Sequence, residues 1–246
     1  MEKTLRIIEY FREPQGKVHF GEAPAVIFYS QCGEDLEVYV DFISKNLEIF
    51  KNTGTFIELG ASDGVKFSNT KFFEDELGFT GILIEPTPDL FGLLEKTRPK
   101  NKLYNCAISP NSGPVDFLVG GGAGGPWTSG IKDTMSPSHM NDWHATDSRK
   151  ISVETGQISS IARDSKMKYI DLFSIDVEGG EYEVLKTVDW DIPIYLIIIE
   201  MGGWDPVKDD LCRDILEEKG YKFHKKVGAS EIWYDSEYMQ KRKKLI

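Results

Sequence analysis

The stretch TFIELGASDG, residues 55–64, decides the fold. Five strand-forming residues end abruptly on a turn that carries two glycines, which reads as a buried strand handing its carboxyl end to a loop. In an open α/β sheet, ligands bind at that end of the strands. Gly60 and Gly64 let the backbone approach a ligand where a Cβ would clash. The turn lacks the G-x-G-x-x-G spacing that sets a pyrophosphate on a helix N-terminus. Glu58 and Asp63 flank it instead, and carboxylates suit a ligand with an amino group and a sulfonium better than a pyrophosphate. Taken alone, the turn reads equally well as a bare strand-to-helix loop.

Working outward, residues 81–85, 103–109, 170–177 and 194–200 read as four further strands. The last two are nearly unbroken runs of β-formers, as expected for strands covered on both faces. The intervening segments 69–77, 88–96, 181–187 and 207–219 read as helices. Pro88 suits a first turn, and Gly220 suits a C-terminal cap. Upstream, Leu36, Val40, Ile43 and Leu47 share one helical face. Residues 221–223 and 231–234, around Gly228, read as a closing hairpin. Together these predict an α/β, Rossmann-like fold: a seven-stranded, mostly parallel sheet with a C-terminal antiparallel hairpin and helices on both faces. Residues 1–246 are read as a single domain, with a helical extension over 1–50 and a core over 51–246. A loop over 120–150, rich in Gly, Ser, Asp and Trp, interrupts the core without a clear period; such loops are usually functional or mobile.

Composition narrows the function. The chain has 246 residues, 40% hydrophobic and 28% charged, so it buries a substantial core without staples. Its net charge of −11 disfavours nucleic acid as a partner. The one dense basic run, residues 241–244, reads as a solvated terminus, or else as a weak contact for anionic lipid. Cys32, Cys106 and Cys212 form no Cys-x-x-Cys pair, which suggests a reducing compartment, the cytoplasm. Residues 1–10 show no signal-peptide pattern, and the longest apolar run, 192–199, is too short to span a bilayer. The N-terminal helix can pack on its own domain or on a second copy, so a homodimer stays open.

Four strands deliver acids to one sheet edge: Glu58, Glu85, Asp176 and Glu200. Glu85, about 20 residues beyond the first turn, is placed to accept hydrogen bonds from two ribose hydroxyls. Asn105 and Ala107 then fall near the adenine edge. Asp176 and Glu178 stand beside the Gly179-Gly180 turn, and Glu181 is suited to capping the following helix.

The pieces SQCGED (30–35), FIELGASDG (56–64) with FSNT (67–70), IEP (84–86) and IDVEGGE (175–181) resemble the FkbM family of methyltransferases, in that family's order. The resemblance runs from about Tyr29 to about Glu200. It implies a class I methyltransferase fold, S-adenosyl-L-methionine as cofactor, and hydroxyl acceptors, often on sugars or small metabolites. On the resemblance, Gly60, Ala61, Asp63 and Gly64 line the methionine end, Gln31 and Asn69 add polar contacts, and Glu85 with Pro86 holds the ribose. Two features depart from the family pattern. The turn begins with glutamate and has serine in its middle, where aspartate and asparagine are common. The glycine run of residues 120–125 with Trp127 has no family counterpart.

Methyl transfer to oxygen needs alignment and an outlet for the hydroxyl proton. Asp176, Glu178, His144 and His224 are candidate bases, and Glu200 joins the catalytic group. Alternatively, Asp176 and Glu200 offer hard ligands for Mg2+ or Mn2+. His139 and His144 bracket Asp142 in the irregular loop, as surface residues or as contacts to substrate or metal. His19 reads as structural. Trp127 and Trp143 either stack on a sugar ring or pin the loop, which can act as a lid. Rival readings are a nicotinamide oxidoreductase, which lacks its glycine pattern here, a non-catalytic nucleoside-binding module, and a nucleic-acid or N-methyltransferase. The last lacks the Asn/Asp-Pro-Pro-aromatic motif.

Overall fold

In the computed structural model, residues 17–18, 26–121 and 124–244 are described. His19 and residues 1–10 lie outside them. The main sheet contains β1 (Thr55–Leu59), β2 (Thr80–Ile84), β3 (Lys102–Tyr104), β4 (Ile170–Ile175), β5 (Ile194–Glu200), β6 (Lys222–Val227) and β7 (Ser230–Tyr234). Their spatial order is β6-β7-β5-β4-β1-β2-β3. The first five run parallel, while β7 is antiparallel to both β5 and β6. This is the class I methyltransferase fold, with the hairpin read from Gly228 in place.

Alternation within the strands explains why the sheet is covered twice. Phe56, Leu83, Leu172 and Ile198 enter one apolar cluster, with the helical run 34–50 and the helix Lys71–Leu77. Ile57, Ile82, Phe173 and Ile199 enter the other, with the helices Ile158–Asp164, Glu181–Leu185 and Pro206–Glu218. Successive side chains of a strand point to opposite faces, so each strand feeds both layers. Every residue of β4 is buried, which is why its sequence shows no polar alternation. The helical run 34–50 packs on its own sheet, but not as one α-helix: it passes through a π turn at Tyr39–Ile43 and a tight turn at Ser44–Asn46.

Three expectations are corrected. The strand predicted over 103–109 is two: Lys102–Tyr104 joins the main sheet, and Ala107–Ile108 pairs with Thr155–Gly156. Between them the Asn105 side chain donates to the carbonyls of Glu85 and Pro86, which turns the chain. Residues 120–150 are not merely a loop. Val115–Val119 pairs antiparallel with Gly130–Ile131 and with Arg149–Val153, and a short helix, Pro137–Trp143, follows. The basic run 241–244 is not all solvated: Arg242 is fully buried, with Nε donating to Asp171 Oδ1 at 2.7 Å. Among the described residues, no helix is long and apolar enough to cross a membrane.

Candidate active site

The strand order reverses between β1 and β4, so their carboxyl ends diverge around a crevice. Gly60 leaves β1 with φ +69°, and a Cβ there would stand 2.1 Å from the Asp176 carbonyl oxygen. Only glycine permits this approach, and it ties the two strand ends together. The resulting cleft opens to solvent, and the free space in and above it is about 920 Å3.

The structure brings eight of the predicted residues to the cleft wall: Gln31, Gly60, Glu85, Pro86, Ala107, Asp176, Glu178 and Glu200. Glu85 is fixed by backbone donors, Ser62 N at 2.9 Å and Thr87 N at 2.7 Å. Its carboxyl is raised above the usual range, chiefly by burial, and the two N–H donors oppose that rise. Ser62 also lines the cleft, and its buried Oγ has no hydrogen-bond partner.

The other predicted residues support the cleft without lining it. Glu58 is buried beneath, accepting from Asn69 N (2.7 Å), Ser68 Oγ (2.9 Å) and Thr70 Oγ1 (2.6 Å), with Arg98 3.8 Å away. Both its oxygens are engaged by the loop 68–70 and it does not line the cleft, so it does not face a ligand. Asp63 closes its own turn by accepting from Val65 N and Lys66 N. Ala61 N is held by the Ile84 carbonyl. Gly64 packs on Leu94 and Arg98, with φ +80°. The Asn69 side chain donates to Ser174 Oγ at 2.9 Å. Asn105 braces residues 85 and 86.

Asp176, Glu178 and Glu200 each offer an oxygen within 4.8 Å of the others'. Burial lifts Asp176 to about 6, with the negative charge of Glu34 adding to the rise. Burial first, then the charge of Asp176, pushes Glu178 and Glu200 well above the carboxylate range. Asp176 and Glu200 stand among the causes of each other's shift, as expected of neighbouring carboxyls. Glu181, lifted to about 7 by burial, accepts from Val177 N and Gly179 N at 3.2 Å, so it braces the turn before its helix and does not cap the helix as expected.

The histidines separate. His144 is buried away from the cleft, with Nδ1 2.7 Å from Ser148 Oγ and Nε2 2.7 Å from the Thr128 carbonyl, and it pins the inserted segment. His224 pairs with Asp41 at 2.8 Å on β6. His139 is the one near the acids, with Nε2 3.5 Å from Glu178 Oε2. Its helix begins at Ser136, whose Oγ accepts from His139 N at 3.1 Å. The sequence marks His139 as a candidate but reads its segment as loop; the Ser-Pro-Ser-His spacing is the helix-start signal for Pro137–Trp143. The tryptophans separate too. Trp127, 38% exposed, lines the cleft with Lys66 Nζ 3.4 Å from its ring centre and Phe67 edge-on. Trp143 packs edge-on against Trp204.

Residues 58–223 match the family described as Methyltransferase FkbM domain. No curated protein matches the chain. Among solved structures, a methyltransferase FkbM from Methylobacillus flagellatus KT is 15% identical, with a TM-score of 0.49 over 80% of this chain and 47% of that one. The chain thus spans about half the length of that relative. The Methanococcus jannaschii fibrillarin pre-rRNA processing protein is 14% identical, with a TM-score of 0.44 over 95% and 98%. The Aeropyrum pernix fibrillarin, solved with natively bound S-adenosyl-L-methionine, is 10% identical, with a TM-score of 0.44 over 94% and 100%.

Proposed function

The chain belongs to the FkbM methyltransferase domain family, and on that premise we propose that it is an S-adenosylmethionine-dependent O-methyltransferase acting on a hydroxyl of a sugar, glycan or small metabolite. The observation that carries the reading is the cleft at the switch point, with Glu85 on one side and the half-buried acids Asp176, Glu178 and Glu200 on the other. The unpartnered Ser62 Oγ and the close approach at Gly60 fit a ligand with polar groups held against the backbone. A carboxylate-rich wall fits a cationic one. When bound, S-adenosylmethionine supplies an electrophilic methyl group on a sulfonium.

In this reading the residues divide by side. Glu85, with Pro86 and Ala107, holds the nucleoside, and Gln31 and Gly60 border the methionine end. Glu58, Asp63, Gly64, Asn69 and Asn105 shape the loops that do so. Asp176, Glu178 and Glu200 receive or share the acceptor's proton, and their raised affinity for protons suits a base working near neutral pH. The alternative outlet for that proton is a divalent ion on Asp176 and Glu200. Trp127 and Phe67 cover the mouth, where an aromatic face can stack on a sugar ring and exclude water. We read residues 1–246 as one methyltransferase unit working in the cytoplasm.

The test is incubation with methyl-labelled S-adenosylmethionine and a panel of nucleotide-sugars, free glycans and phenolic metabolites, read by mass spectrometry. The expected product carries one methyl ether, and Glu178→Gln lowers its rate by roughly 10²–10⁴-fold. Label appearing only on nitrogen, or on RNA, would overturn the acceptor assignment.

A further inference from the structure

The geometry points to a divalent-cation site formed by Asp176, Glu178 and Glu200, with the unpartnered Nε2 of His139 3.5 Å from the Glu178 carboxylate, placed to support it. It deepens the methyltransferase reading, on which its catalytic meaning rests. The sequence had paired only Asp176 with Glu200.

Two observations carry it independently. The first is the trio itself. Oxygens within 4.8 Å of one another match the span across one coordination shell, whose radius is about 2.0–2.6 Å for Mg2+ or Ca2+. Among the described residues no lysine or arginine pairs with any of the three. Glu34 and Glu181 add negative charge around them. Like charges gathered in a half-buried wall repel one another unless a cation or protons offset them.

The second is His139. The residue is 1% exposed and its Nε2 has no hydrogen-bond partner. A buried ring nitrogen left unpaired is costly, and this one faces Glu178 Oε2 at 3.5 Å. The His139 backbone N–H is capped by Ser136 at the helix start, and the ring packs against Trp204 and His144. His139 is not among the mutually close ligand atoms, so it is a positioning residue and not a ligand. Ligating carboxylates are themselves held by outer hydrogen bonds, and removing such a partner costs about 10–100-fold in metal affinity. Three carboxylates make a hard, oxygen-only donor set, which selects Mg2+ or Mn2+ over zinc or copper. An ion there would polarise an acceptor hydroxyl beside Glu178 and lower its pKa.

The test uses the full chain, dialysed against chelator, titrated with Mn2+ and followed by the electron paramagnetic resonance of the free ion. S-adenosylhomocysteine binding is measured in parallel on each variant. Wild type should bind one Mn2+ per chain, displaceable by Mg2+. Asp176→Asn, Glu178→Gln and Glu200→Gln should each lose it, and His139→Ala should weaken it at least tenfold while leaving S-adenosylhomocysteine binding intact. Circular dichroism confirms that each variant is folded. No Mn2+ binding to wild type, or binding unchanged in the three acid variants, overturns the site. Unchanged binding in His139→Ala overturns the role given to His139. Mn2+ binding without S-adenosylhomocysteine binding would leave the ion site standing and remove the methyltransferase reading; the reverse result does the opposite.

Discussion

Arg242 lies in a run that composition reads as a solvated tail, yet it is fully buried at the foot of β4. It donates to Asp171 through Nε and Nη2, and Nη2 also reaches the Thr53 carbonyl at 3.0 Å. Tyr238 adds a hydrogen bond to the same aspartate. Removing one partner of a buried ion pair strands the other, at about 3–5 kcal/mol. Arg242→Ala is therefore expected to lower unfolding stability by roughly that amount in urea, whereas a loss under about 1 kcal/mol, the ceiling of an exposed pair, would show that the pair is not buried in solution. The strand-end acids make the same point about single residues. Glu58 and Glu85 look alike in sequence. Glu58 lies within β1 and is taken by Ser68 and Thr70, while Glu85 follows the end of β2 and reaches the cleft. Nothing near Glu58 in the chain announces that a loop ten residues on will satisfy it.

Elements were legible where one physical signal dominated. The bounds of β1 and β5 follow from apolar runs of fixed length, and the helix Pro206–Glu218 ends near Gly220, whose φ is +84°. The hairpin turned where Gly228 permits it. Signals failed where long-range pairing sets the structure. Val115–Val119 is a strand because Arg149–Val153, some thirty residues later, pairs with it. The helix Ile158–Asp164 passed unread because only Ile158, Ile161 and Ala162 mark its buried face, too short a pattern for the period to emerge. The candidate site divides the same way. Its acids were visible as strand ends and His139 as a candidate contact in the irregular loop, whereas Lys66 and Phe67 reach the cleft from a turn. Phe67 holds a φ of +64°, a backbone state its side chain does not announce.

At the scale of the molecule, an acidic chain buries several of its acids. Burial lifts Asp35 to about 6 and Glu181 to about 7, while both ordinarily titrate near 4 in an unfolded chain. The folded state therefore binds more protons than the unfolded one between about pH 4 and 7, and stability falls as pH rises through that window. Thermal unfolding should occur at a higher temperature near pH 5.5 than near pH 8, with the difference on the order of a few kcal/mol; a midpoint that climbs across this range would mean these carboxyls are solvated. The central claim, that the cleft at the switch point takes the nucleoside of S-adenosylmethionine through Glu85, is tested most directly by calorimetric titration with S-adenosylhomocysteine. Hydrogen bonds to a charged group contribute about 1.5–3 kcal/mol, and about 1.4 kcal/mol is a tenfold change in affinity. Wild type should bind at about micromolar Kd, roughly 8 kcal/mol, and Glu85→Ala should weaken binding at least tenfold. Absence of binding to wild type, or equal binding by Glu85→Ala, would contradict the account.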